Sequence, residues 1–82
     1  MRCLGYRLIS FKPSGSQSDV TGYRCTFVEE YPKDVGTGFN ALTQFLSLDK
    51  FTQFGIAELT RGNKEFSVYY NRYGKIQDII EK

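Results

Sequence analysis

The residues best equipped for chemistry in this chain are rings and cations set side by side. Tyr69, Tyr70, Asn71, Arg72, Tyr73, Gly74 and Lys75 follow one another without interruption. Aromatic faces stack on nucleobases at roughly 1–3 kcal/mol per base and adjacent Arg or Lys neutralises phosphates, so this mixture suits a single-stranded nucleic acid. Strand alternation sends Phe66, Val68 and Tyr70 to one side and Ser67, Tyr69 and Asn71 to the other. Tyr69 and, in the turn, Tyr73 are then the stacking candidates, with Arg72 and Lys75 as phosphate contacts. The same residues also admit a reading without a ligand, in which Tyr73 covers one end of the fold and the two cations are solvated turn charges.

A second candidate group lies upstream. Over residues 20–31, Tyr23, Cys25, Phe27 and Tyr31 alternate with Gly22, Arg24, Thr26 and Val28. If the first set is core, Arg24 and Thr26 lie on the outer face, beside Arg7 if the first two strands pair. Two arginines on one face could track a phosphate backbone; a neighbouring acid that pairs with Arg24 is the alternative. Tyr31, near Gly36 and Gly38, is a candidate stacking ring, while Phe39 is expected to pack in the core or at the corner.

Enzymatic chemistry has little support. The chain has no His, so a Ser or Cys nucleophile lacks its usual general base, and no carboxylate pair stands out. Gly36-Thr37-Gly38 is not followed by the glycine, lysine and helix start of a phosphate-cradling loop. Cys3 and Cys25 have no metal-ligand spacing, which predicts buried free thiols in a reducing, cytoplasmic setting with neither cofactor nor metal. Arg7 interrupts the apolar run a signal peptide would need, and no stretch approaches about 20 apolar residues, which predicts no membrane span.

The elements that position these groups follow from length and pattern. Eighty-two residues make one domain over 1–82, with room for a single core. Lys and Arg number 11 against 9 Asp and Glu, so the global field is weak and any anion site must be local. Residues 3–11 alternate as a first strand with Leu4, Tyr6 and Leu8 on its apolar face. A polar loop over 12–19 leads to the long strand over 20–31, which ends at Pro32 and the two glycines. Residues 39–47 fit a strand, and also a helix through Phe39, Leu42, Phe45 and Leu46; the strand is preferred because Ser47 then caps a short helix carrying Asp49, Leu48, Phe51 and Phe54 and stopping at Gly55. Residues 56–61 read as a brief strand turned by Gly62-Asn63, and 66–70 and 75–81 as the closing strands. Between the last two, Asn71 to Gly74 predicts a type I turn with a left-handed Gly74 and a G1 bulge.

A glycine-bent long strand, a helix after the third strand and a final hairpin are the parts of a small, mainly β, five- to six-stranded antiparallel barrel. Here the chain resembles the small OB-fold single-stranded DNA-binding proteins of phages and mobile elements. GYRCTFVEE (22–30) matches the second strand, GTGF (36–39) through FLSLDKF (45–51) the third strand with its helix, and VYYNRYGKI (68–76) the closing strands. The resemblance implies a non-catalytic OB-like domain that binds single-stranded DNA or RNA, DNA favoured, with little sequence preference. The alternative fold is α+β, with an antiparallel sheet and one helix over 38–54. The alternative function is a protein-interaction or homodimerising accessory module of a phage or mobile element, with a homo-oligomer as one form, which the small net charge favours.

Overall fold

The computed structural model describes residues 1–15 and 17–82. The first half is an antiparallel meander of β1 (Arg2–Phe11), β2 (Val20–Glu30) and β3 (Phe39–Ser47) in the order β1-β2-β3. The polar loop expected at 12–19 separates β1 from β2, and Ser16 within it lies outside the described residues. In register, Cys25 of β2 stands between Tyr6 of β1 and Gln44 of β3, while Arg24 stands between Arg7 and Phe45. Alternation makes these two rows point to opposite faces.

The face carrying Cys25 and Phe27 is the buried one. β1 does not present the simple apolar face its alternation suggested: a register shift between Cys3 and Gly5 places Cys3 and Tyr6 on the core side. Cys3 is buried, whereas Leu4, the extra residue, is 63% exposed; Leu8 keeps the parity of Tyr6, opposite Tyr23, and is nonetheless 60% exposed. A bulge adds one residue and so reverses the parity of what precedes it, which alternation alone cannot anticipate.

β3 is a strand throughout, not part of a helix over 38–54. Ser47 then caps α1 (Leu48–Gln53), its Oγ accepting from the Lys50 amide at 3.3 Å, with Asp49 in the first turn. Gly55, at φ 64°, turns the chain into α2 (Ile56–Arg61). The strand expected at 56–61 is therefore a helix. Ile56 and Leu59, three apart, bury themselves on one side, and Gly62-Asn63 stops the helix instead of reversing a hairpin. Asn63 is left-handed at φ 49°; its amide bonds Thr60 O at 3.2 Å and the Lys64 amide bonds Leu59 O at 2.9 Å. That pair of bonds is a Schellman stop.

The chain closes with β4 (Phe66–Tyr70) and β5 (Ile76–Glu81), a separate two-stranded sheet. Its turn is the expected one: Gly74 has φ 78°, its amide bonds Asn71 O at 3.0 Å, and the Asn71 amide bonds Lys75 O at 2.8 Å. The Asn71 side chain adds bonds from the Tyr73 and Lys75 amides. The register shift near Tyr69 leaves Ile79 opposite Val68 and Ile76 opposite Tyr70, so both isoleucines face the core although they are three apart. Tyr70, expected inward, is exposed at the hairpin's outer end.

The five strands do not close into a barrel. The two sheets are bridged where the Met1 amine donates to Phe66 O at 3.0 Å and the Phe66 amide donates to Met1 O at 2.8 Å. Along β3, where closure would need another strand, the chain instead enters α1 and α2. The core lies between the meander, the helices and the hairpin: Phe27 and Phe66 meet edge to face at 5.6 Å, with Ile56 and Cys25 fully enclosed beside them. Each buried Phe or Ile contributes about 2–3 kcal/mol.

Candidate nucleic-acid interface

The helices cover only one face of the meander. Phe51 of α1 stacks on Tyr23 at 3.9 Å and meets Tyr6 edge-on at 4.7 Å, both on the Cys25 side. The opposite face is open to solvent. Its central row is Arg7, Arg24 and Phe45; Gly5, Thr26 and Thr43 form the next row, and Ile9, Gly22 and Ser47 the one on the other side.

Arg7 and Arg24 are direct cross-strand partners. Like charges so placed have Cβ atoms about 5 Å apart and destabilise a sheet. No carboxylate relieves them: among the described residues the one ion pair is Lys64–Glu81 at 3.8 Å, on the hairpin side. A shallow cavity of about 290 Å³ lies against Gly5, Arg7, Arg24 and Thr26. The space above Gly5 is open: a Cβ there would have no neighbour within 4 Å. Two unpaired guanidiniums beside a glycine can hold a phosphate from both sides.

Phe45 adjoins the cations and was not anticipated as part of the surface. Its ring lies across Gly22, where a Cβ would fall 2.5 Å from Phe45 Cζ and also strike the Leu46 carbonyl. Phe11 meets the ring edge-on at 5.4 Å. Gly22 is thus a packing glycine that lets an aromatic ring lie down on the sheet, still 38% exposed. Phe39, expected in the core or corner, is instead 62% exposed on the same face, opposite Glu30. The sequence signal for these rings is their shared parity with Arg24, and it becomes legible only once the β2–β3 register is known.

The remaining predicted residues fall in two other places. Tyr31 packs over Gly36 and Gly38, 3.9 Å from where their Cβ atoms would sit, and its amide bonds Gly38 O at 2.9 Å. Seven residues of strand separate it from Arg24, roughly 23 Å. Glu29, Glu30 and Glu65 border a small cavity at that end, which makes it acidic. Tyr69, Arg72 and Tyr73 lie on the hairpin. Tyr69 stands opposite Asp78; Tyr73 is 72% exposed, with the Arg72 guanidinium 5.0 Å from its ring centre and bonded to its hydroxyl at 2.8 Å. Lys75 faces the first sheet: with Gly74 it borders a cleft of about 440 Å³ whose other wall is Phe45, Ser47 and Lys50.

Cys3 and Cys25 are free and buried. Burial, and secondarily the neighbouring Cys3, pushes the Cys25 thiol up from 9.0 to about 12, so at neutral pH it stays protonated and is a poor nucleophile. Among the described residues, no group of three or more His, Cys, Asp or Glu could hold a metal, and no helix is long and apolar enough to cross a membrane. Comparison with protein-family models, curated proteins and solved structures finds no match to the chain.

Proposed function

We propose that this chain is a non-catalytic binder of single-stranded nucleic acid, DNA favoured, with little sequence preference, and that it uses the open face of the β1–β3 sheet. The observation that carries this reading is the Arg7–Arg24 pair: two like charges held opposite each other without an acid, in the same row as an exposed ring. Folding alone gains nothing from such a pair, whereas a phosphate bound between them relieves it. Phe45 and Phe11 supply stacking surface next to the phosphate seat, and Tyr69, Arg72, Tyr73 and Lys75 extend the site onto the hairpin. Tyr31, on the acidic corner, falls outside this path. The likeness to OB-fold proteins enters as a mode of binding, a sheet face of rings and cations, which does not require a closed barrel. The two free, buried thiols fit a reducing, cytoplasmic setting.

Amide chemical-shift mapping with a short oligothymidylate tests the reading. Perturbations should gather on Gly5, Arg7, Gly22, Arg24, Thr26 and Phe45. Shifts confined to residues 31–38, or none at all, would remove it.

A second reading rests on a different observation. Leu4 and Leu8 are among the most exposed apolar side chains, and they belong to β1, an edge strand of its sheet. Such an edge suits addition of a strand from another protein or a second copy. Sedimentation of the free protein separates the two: this reading requires self-association, or a protein partner lost on Leu4→Lys and Leu8→Lys, with oligonucleotide having no effect.

A further inference from the structure

We propose that the cleft between the end of β3, the first turn of α1 and the β4–β5 turn is a subsite for one nucleotide of the bound strand, its phosphate between Lys50 and Lys75 and its base against Phe45. The inference rests on the nucleic-acid reading above and adds a direction to it: the strand crosses the sheet from β1 through Arg24 to the free edge of β3.

Charge selects this cleft from the other cavities. Its wall carries two lysines and no carboxylate. The cavity beside α2 and β5 has Glu58 and Glu81 against Lys64 in its wall, and the one near Met1 has Glu29, Glu30 and Glu65 against Arg2, so acidic side chains outnumber basic ones in both. Volume agrees. About 440 Å³ exceeds both the 340 Å³ of the Glu58 cavity and the 290 Å³ beside the arginines, and lies within the range of small-molecule sites, large enough for a base and its phosphate.

One ammonium, and the backbone of the other lysine, are positioned by neighbours. The Lys50 ammonium sits 5.5 Å from the centre of the Phe54 ring, and the Lys75 backbone is fixed by its amide's bond to Asn71 Oδ1 at 3.1 Å. Gly74, between the two sheets, leaves the entrance clear, since a Cβ there would have no neighbour within 4 Å. The far wall is the edge of β3 that pairs with no strand, whose outward N–H groups can donate to a ligand. Phe45 makes the cleft continuous with the first seat: it is the cross-strand partner of Arg24 and also a wall of the cleft. Strands spaced about 4.8 Å put Arg7 and Phe45 about 10 Å apart across the sheet, so the phosphate seat and the cleft fit successive nucleotides of one strand.

The test compares oligothymidylate of about 12 nucleotides binding to the wild type, to Lys50→Gln/Lys75→Gln and to Arg7→Gln/Arg24→Gln, by fluorescence anisotropy over a range of salt. Lys33→Gln/Lys82→Gln, outside the cleft, controls for net charge. Losing the one phosphate seated between the two lysines lowers the salt slope by about 0.7 and the affinity at 50 mM salt about eightfold, with the control pair nearly unchanged. Melting curves establish that each variant is folded. If the arginine variant binds weakly while the Lys50/Lys75 variant matches wild type, or matches the control pair, the cleft proposal is overturned and the sheet-face reading stands. If wild type binds no oligonucleotide at low salt, both fall together.

Discussion

Replacing Arg24 with Gln should make the protein more stable and its oligonucleotide binding weaker. The stability half follows from register, because Arg24 faces Arg7 directly. With guanidiniums about 6 Å apart in solvent the repulsion is about 0.7 kcal/mol, reduced to about 0.3 kcal/mol by screening at physiological salt. Cross-strand like-charge pairs span the same range. For a domain of this size that shift raises the melting midpoint by about 1–5 °C, with the larger gain at low salt. Arg7→Gln should give a similar gain, and the double variant little beyond either single one, since one repulsion cannot be removed twice. The binding half follows from counterion release: the two guanidiniums share one phosphate seat, so weakening it lowers the salt slope by at most about 0.7 and the affinity at 50 mM salt by at most about eightfold. Thermal melting and anisotropy titration on the same samples read both. A midpoint that falls by several degrees would show that the guanidinium holds the fold together. A midpoint that rises while binding stays the same would place the ligand elsewhere.

Three further predictions concern neighbouring features. Gly22→Ala puts a methyl group into the Phe45 ring and the Leu46 carbonyl, and should cost about 1–3 kcal/mol, seen as a lower melting midpoint; an unchanged midpoint would mean that Phe45 does not lie across Gly22. Tyr73→Ala should leave the midpoint nearly unchanged, since the ring is mostly exposed, and weaken oligonucleotide binding by about 1 kcal/mol; unfolding instead would make Tyr73 structural. Cys25 governs an alkaline transition. Its folded pKa of about 12 lies above the unfolded 9.0, so its contribution to stability is complete below pH 9 and is lost at about 1.4 kcal/mol per pH unit as pH rises toward 12. Cys25→Ala should therefore show a shallower loss of stability above pH 9 than wild type, and parallel curves would contradict the assignment.

What the sequence disclosed about the fold was what local rules govern. Gly74 after Asn71-Arg72-Tyr73 dictated the hairpin turn to the residue, and Ser47 with Asp49 dictated where β3 ends and α1 begins. Gly62-Asn63 misled because the same pair serves a hairpin and a helix stop. The choice was made by Ile56 and Leu59, whose three-residue spacing in so short a segment carries little periodic signal. Barrel closure was misjudged because it depends on which strand β3 meets, a pairing set by packing between distant parts of the chain. The candidate surface divided along the same line. Arg7 and Arg24 were legible as one patch once the first two strands pair, whereas Phe45, Phe11 and Lys50 joined it only through the β2–β3 register and the placement of the hairpin turn. Ring type and nearby glycines could not show that Gly36 and Gly38 are packing partners of Tyr31.

The most direct measurement is a salt titration of wild-type protein against labelled single-stranded oligonucleotide, with duplex of the same sequence as comparator. Two phosphate seats, one between Arg7 and Arg24 and one between Lys50 and Lys75, predict tighter binding to the single strand and a slope of log K against log salt of about −1.4. Absence of binding at low salt, or binding that salt does not weaken, would contradict the account.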